Sequence, residues 1–286
     1  MKKQPIYNIS HFTQRIRKSE LYVNTFKKHL QTHSFIEKPH RHNFYLLVLF
    51  TNGSGFHEID FDRYVVKPGS LFMIQPGQIH HWQLSEDIEG YIVFCGREIY
   101  NAYFENKKIE DYTFYRSVTS KPELKLNNSM QLVLPYFKMM VDEYSSPQLK
   151  TNDKILNLLD TLFIEIDRQY EPESKHDTHP YNHKINEFQM LLEKYFMTQK
   201  LPSFYASEMN MTLKHLNRIC KNILDQTVTD IVAKRVILEA KRLLTDQTKS
   251  VAQIAGLLGY DNYPYFGKVF KKYTQMSPGE FRKRVA

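Results

Sequence analysis

Over residues 44–50 the chain runs apolar without a break, Phe44-Tyr45-Leu46-Leu47-Val48-Leu49-Phe50, until Asn52-Gly53-Ser54-Gly55 stops it. That is the length and punctuation of a strand. Phe56-His57-Glu58-Ile59-Asp60-Phe61 alternates apolar and polar as a half-buried strand does, and the pattern places a turn at Asp62-Arg63. Val65-Val66, Leu71-Phe72-Met73-Ile74 and Tyr91-Ile92-Val93-Phe94-Cys95 read as further strands, with turns at Pro68-Gly69 and Pro76-Gly77. Short strands broken by such turns predict an antiparallel barrel or jelly roll. After about residue 127 the period changes. Leu132, Phe137, Met140 and Tyr144 recur near helical spacing, with Pro135 expected in a first turn or at a break. Ile155, Leu159, Leu162 and Ile166 follow at i, i+4, i+7 and i+11, widened by Leu156, Leu158, Phe163 and Ile164. Such a helix packs on the barrel or pairs with its copy in a second subunit. Residues 171–180 then carry no large apolar side chain and two prolines, the composition of a linker.

Beyond the linker the sequence repeats itself at about 50 residues. Ala206-Ser207-Glu208-Met209-Asn210-Met211 aligns with Ala255-Gly256-Leu257-Leu258-Gly259-Tyr260, and Leu216-Asn217-Arg218-Ile219-Cys220-Lys221 with Phe266-Gly267-Lys268-Val269-Phe270-Lys271. Each unit reads as a short helix, a tight turn and a second helix. Ala206 and Ala255 are small where two helices cross, while Gly259 and Asn210 suit a left-handed turn residue. Ser250 with Gln253 forms a capping box, and Thr212 and either Asn262 or Asp261 are good N-caps. Each second helix buries one face (Leu216, Ile219 and Cys220; Phe266, Val269 and Phe270). The opposite faces carry Lys214, Asn217, Arg218 and Lys221 in one unit and Lys268, Lys271 and Lys272 in the other. Between the units, Ile231, Val232, Arg235, Ile237, Leu238, Arg242, Leu243 and Leu244 predict a long connecting helix. Two helix-turn-helix units held apart in this way could enter successive major-groove segments, about 34 Å apart.

Charge sharpens this division. The formal net charge is +8, and residues 181–286, with 17 Lys+Arg and 9 Asp+Glu, carry all of it. A neutral front joined to a basic back points to a polyanionic partner for the back. The 286 residues are 42% hydrophobic and 24% charged, which argues against disorder, collagen and coiled-coil fibre. No apolar run follows Met1-Lys2-Lys3, and no window approaches the roughly 18 apolar residues of a membrane helix. Cys95 and Cys220 offer neither a disulfide framework nor a Cys-based zinc site. A soluble, cytoplasmic protein with no membrane partner is expected.

The run Ala240-Lys241-Arg242-Leu243-Leu244, then Ser250-Val251-Ala252-Gln253-Ile254-Ala255, Gly259-Tyr260, Tyr265-Phe266-Gly267-Lys268-Val269-Phe270-Lys271-Lys272 and Met276-Ser277-Pro278-Gly279-Glu280-Phe281-Arg282 resembles the DNA-binding domain of the AraC/XylS family of bacterial transcription regulators. The resemblance covers about 100 residues and is highly specific. It implies that base reading by the first recognition helix falls on Lys214, Asn217 and Arg218. Arg or Lys donates to guanine O6/N7, and Asn pairs bidentately with adenine. Thr212 and Lys221 suit phosphates, and His215 on the same helix is counted with the DNA contacts. In the second helix the reading positions fall on Pro264, Gly267 and Lys268, of which only Lys268 has a hydrogen-bonding side chain. Asn262, Tyr263, Lys271 and Lys272 complete that contact set, and a sharper preference is expected in the half-site read by the first unit. Where the family usually has a glycine after each recognition helix, this chain has Asp225 and Gln275.

In the front module, His40-Arg41-His42, Pro68-Gly69 and Pro76-Gly77-Gln78-Ile79-His80 resemble the cupin pattern found before many such DNA-binding domains. Cupin enzymes hold a metal with three histidines and a glutamate. His40, His42 and His80 match the histidines, but Leu46 and Leu47 stand where the glutamate is expected; three histidines could still hold zinc or iron with an open position, and the expectation is a pocket rim or hydrogen-bonding histidines with no metal or other cofactor. Arg41, His42, Tyr45, His80 and Trp82 are the candidate ligand-binding residues, with aromatic faces for stacking and His or Arg41 for hydrogen bonds. No catalytic constellation is present.

The expectation is an α+β multidomain chain: a cupin-like antiparallel barrel or jelly roll with helices (1–126), a helical dimerisation or connector segment (127–170), a linker (171–182) and an all-α double helix-turn-helix (183–286). Its function would be effector-controlled, sequence-specific regulation of promoter DNA, most simply as a homodimeric activator and not an enzyme. A sugar or other metabolite would be the effector; contact with RNA polymerase is what the resemblance implies. Its rivals are a metal-dependent cupin enzyme fused to a DNA-binding module and an architectural DNA-binding protein.

Overall fold

A computed structural model describes residues 5–12, 20–32, 38–116, 120–170 and 181–285. These fall in two compact units, one within Pro5–Glu171 and one within Pro172–Ala286. The linker expected at 171–182 lies outside the described residues except for its last two.

The first unit is two facing sheets with a helical cover. Strands β1 (Ile6–Tyr7) and β3 (Arg41–His42) form a short parallel pair. The main antiparallel sheet has the order β10 (Glu123–Lys125), β7 (Ser70–Ile74), β4 (Tyr45–Asn52), β9 (Glu89–Cys95) and β2 (Leu21–Thr25). A second sheet has the order β6 (Asp62–Val66), β5 (Gly55–Ile59) and β8 (His80–Leu84), giving a jelly-roll-like sandwich. The unbroken apolar run 44–50 has its cause here, because β4 is central and buried on both faces. Its odd positions, Tyr45, Leu47 and Leu49, join Leu21, Val23, Met73, Val93 and Cys95 under the helices. Its even positions, Leu46, Val48 and Phe50, meet Phe72, Ile92, Phe94 and Trp82 between the sheets. The turn expected at Asp62-Arg63 comes two residues earlier. Asp60 takes φ 55°, which Asp tolerates, and Asp62 and Arg63 already pair within the β5–β6 ladder.

Helices α1 (Phe26–Thr32), α2 (Arg97–Tyr103) and α3 (Thr113–Arg116) flank the sheets, and α4 (Met130–Ser145) and α5 (Thr151–Gln169) cover the main one. Pro135 neither starts nor breaks α4 but lies inside it; Gln131, whose carbonyl loses its partner, is exposed, as is Pro135, so water can satisfy that carbonyl. The α5 stripe Ile155, Leu159, Leu162 and Ile166 is fully buried within this single chain. It packs in the core and is therefore not surface for a second subunit. The sequence left this open because the helix-facing side of the sheet supplies the partner.

The second unit comprises α6 (Asn182–Tyr195), α7 (Pro202–Glu208), α8 (Leu213–Leu224), α9 (Val228–Leu244), α10 (Val251–Leu257), α11 (Tyr263–Thr274) and α12 (Pro278–Val285). The Ser250–Gln253 capping box opens α10, Thr212 caps α8 through the His215 amide, and Asn262 caps α11 through the Tyr265 amide. Asn210 and Gly259 occupy the two helix-turn-helix turns with φ 52° and 68°. A Cβ on Gly259 would lie 2.6 Å from the Met197 carbonyl oxygen, so the glycine is required twice over. Asp225 and Gln275 both take the left-handed conformation, φ 52° and 61°, that glycine would occupy. Arg235 fixes α9 to α6: its guanidinium lies 3.7 Å over the Phe196 ring, and its Nε donates to both Glu193 oxygens at 2.9 Å. No described helix is long and apolar enough to cross a membrane.

Candidate nucleic-acid interface and histidine cluster

The basic face of α8 is built as the repeat predicts. Leu216, Ile219 and Cys220 are buried, and Lys214, Arg218 and Lys221 are exposed on the other side. Thr212, Lys214, Asn217, Arg218 and Lys221 line one cleft together with Asn222, Thr227 and Thr229. Thr212 accepts from the His215 amide at 3.2 Å, which leaves its hydroxyl hydrogen for a phosphate oxygen. His215 also lines this cleft but is half-buried, its ring edge-on to Tyr181 at 5.8 Å. Asn217 is not free as the sequence implied: its Oδ1 accepts the Val228 backbone N–H at 3.0 Å.

On α11, Phe266 and Phe270 are buried and Val269 is half-buried, while Tyr263, Lys268, Lys271 and Lys272 are exposed. Asn262, Lys268 and Lys272 line a second cleft with Tyr265; Tyr263 and Lys271 lie outside it. Thr229, in the first turn of α9, borders both clefts and was missed by sequence reasoning. Only the fold brings that turn between the two recognition helices.

In the first unit, His42, His57, His80 and Trp82 converge between the sheets. Ring centroids lie 5.0 Å apart for His42–His80 and 5.2 Å for His57–His80, His57–Trp82 and His80–Trp82. His40 joins at 4.4 Å from His80, and their backbones pair in both directions. His57 escaped the sequence reading, although it shares the inward parity of Ile59 on β5. Arg41 takes the alternate face of β3 and is half-buried. Tyr45 lies on the other side of the main sheet, where its hydroxyl donates to Glu110 and its ring meets Tyr115 at 4.7 Å. Of the five expected ligand residues, the fold therefore gathers His42, His80 and Trp82.

Burial pushes all four imidazoles below their ordinary range: His40 to about 4, His42 to about 3, and His57 and His80 well down, with neighbouring histidines adding to the effect. They are neutral at pH 7. The Nδ1 atoms of His40 and His42 each lie 2.8 Å from a carbonyl oxygen, so both must donate there. That makes the His42 Nε2 an acceptor. His57 Nε2 and His80 Nδ1 share one hydrogen bond at 3.0 Å. Among the described residues, His42 Nε2, His57 Nδ1, His80 Nε2 and Trp82 Nε1 are buried and find no hydrogen-bond partner. Among the described residues no group of three His, Cys, Asp or Glu side chains is placed to hold a metal ion.

Residues 205–284 match the helix-turn-helix domain family, and residues 20–178 match the AraC-like ligand binding domain family. The chain belongs to the AraC family. It is a DNA-binding transcriptional regulator with an N-terminal ligand-binding domain. The HTH-type transcriptional activator RhaR of Mannheimia succiniciproducens is 21% identical over 255 residues, spanning 86% of this chain and 87% of its own. The arabinose operon regulatory protein of Escherichia coli is 22% identical over 255 residues, spanning 87% and 83%. A crystal structure of ToxT from Vibrio cholerae aligns over 95% of this chain and 100% of its own, at 13% identity and a TM-score of 0.42.

Proposed function

We propose that this AraC-family chain is a transcriptional activator without enzymatic turnover, controlled by a neutral, hydroxylated small molecule bound at the histidine cluster. The observation that carries the effector reading is four buried nitrogens, on His42, His57, His80 and Trp82, that find no hydrogen-bond partner among the described residues. His42 Nε2 accepts and Trp82 Nε1 donates. The His57–His80 pair adds one donor and one acceptor, whichever ring gives the shared proton. A hydroxyl both gives and takes a hydrogen bond, so a sugar or polyol suits this alternation, while a charged ligand finds no ionised imidazole to meet it. Lys214 and Arg218 are then the base-reading side chains of α8, with Thr212 and Lys221 on phosphates. Lys268 leads on α11. A homodimer is assigned to α4, where Leu132 and Met139 remain 51% and 42% exposed. Contact with RNA polymerase completes the activator reading.

Trp82 is the single tryptophan of the chain, so its emission reports the cluster directly. Titration with a panel of neutral sugars and polyols should give a saturable shift for at least one of them, lost in His42→Ala. A flat response across the panel, with the chain folded, overturns the effector class.

A further inference from the structure

The first turn of α9 holds both recognition helices. Thr227 caps it, accepting the Asp230 amide at 3.1 Å and donating its hydroxyl to Asp230 Oδ2 at 2.7 Å. From α8, Asn217 Oδ1 accepts the Val228 N–H at 3.0 Å. From α11, the Tyr273 hydroxyl donates to Asp230 Oδ1 at 2.8 Å. Hydrogen bonds from Thr227 and Tyr273 hold the Asp230 carboxyl below the usual carboxylate range, so it accepts as a carboxylate at neutral pH. One side chain from each helix-turn-helix unit thus ends on the first turn of α9, Asn217 on Val228 and Tyr273 on Asp230.

We infer that Asn217 and Tyr273 are positioning residues that fix the distance and phase between the two half-sites. This rests on the reading of α8 and α11 as recognition helices. Bidentate pairing of asparagine with adenine needs its Oδ1 to accept from the base. Here the bond to the α9 backbone fixes that oxygen's direction and takes one of its two lone pairs, so Asn217 is assigned to positioning and the reading on α8 to the donors of Lys214 and Arg218. Tyr273 is half-buried and plays the corresponding part for α11. Adding or removing one base pair between half-sites moves the second by about 3.4 Å and turns it by about 35°. A unit tethered at its base resists that displacement, whereas an untethered one follows it.

The test uses the full chain and a randomised duplex pool, from which the wild type enriches its own site. Dissociation constants are then measured on that site, on versions with the spacer one base pair longer or shorter, and on the first half-site alone. Tyr273→Phe is expected to weaken binding to the enriched site about tenfold, the lower end for one hydrogen bond to a charged carboxylate. Its penalty for altered spacers should shrink, and its affinity for the single half-site should stay unchanged. Asn217→Asp keeps an acceptor for the Val228 N–H and should keep the wild-type spacing profile, which Asn217→Ala should lose. If Tyr273→Phe shows the wild-type spacing profile, or weakens the single half-site equally, the inference fails while the DNA reading stands. A wild-type chain that enriches no duplex overturns both.

Discussion

Acid should unfold the front domain through its own core. His40 and His42 have values pushed down to about 4 and about 3, and His57 and His80 lie well below the ordinary range, all chiefly through burial. In the unfolded chain each would take up a proton below about 6.5. The native state refuses that proton, so stability is complete above pH 6.5 and falls as pH drops from 6.5 toward 4. At pH 5 each histidine costs about 2 kcal/mol relative to neutral pH, by linkage. Four of them together approach about 8 kcal/mol, comparable with the roughly 5–15 kcal/mol that holds a domain folded. Urea titrations between pH 7.5 and 4.5, followed by Trp82 emission, read this domain selectively, because Trp82 is 5% exposed and its ring lies 5.2 Å from both His57 and His80. The urea midpoint should fall steeply below pH 6.5, and His57→Gln should reduce that slope by about a quarter, one proton in four. A midpoint flat from pH 7.5 to 5 would refute the buried, neutral cluster.

Further outcomes follow from the rear domain. Gly259→Ala should destabilise it by about 1–3 kcal/mol in thermal melts, since the new methyl meets the Met197 carbonyl and φ is 68°. Gln275→Gly should instead gain about 0.5–1 kcal/mol, by relieving a left-handed glutamine. Arg218→Ala should cost about 1–3 kcal/mol of DNA binding and relax preference at one base position, whereas Lys221→Ala should weaken all sequences alike and lower the salt slope by about one. Base substitution across an operator should show larger penalties in the half-site read by α8 than in that read by α11, and equal penalties would refute the asymmetry.

The strands and the two helix-turn-helix units were legible because their signals are local. The run at 44–50 needs only its neighbours to be read as a strand, and Ser250–Gln253 caps α10 wherever that helix docks. What escaped depends on partners distant in sequence. Tyr45 has the parity of Leu47 and Leu49, but nothing local says that this parity faces the helices and the other the histidines. The α5 stripe looks the same whether a sheet or a second subunit covers it. Asn217 carries the chemistry of an adenine reader until the fold brings the Val228 amide, eleven residues on, to its oxygen. His57 was readable from the alternation at 56–59 but stood outside the His-x-His pattern that drew attention.

Sequence-specific DNA binding by the whole chain is directly measurable. The most direct measurement is enrichment of genomic duplex fragments by the full chain across a salt series, with competing random DNA present. A bipartite site spanning about two helical turns should be enriched. Its affinity should fall linearly on a log–log salt plot, by about 0.9 per phosphate neutralised. Binding to random DNA as tight as to any enriched fragment would contradict sequence-specific binding.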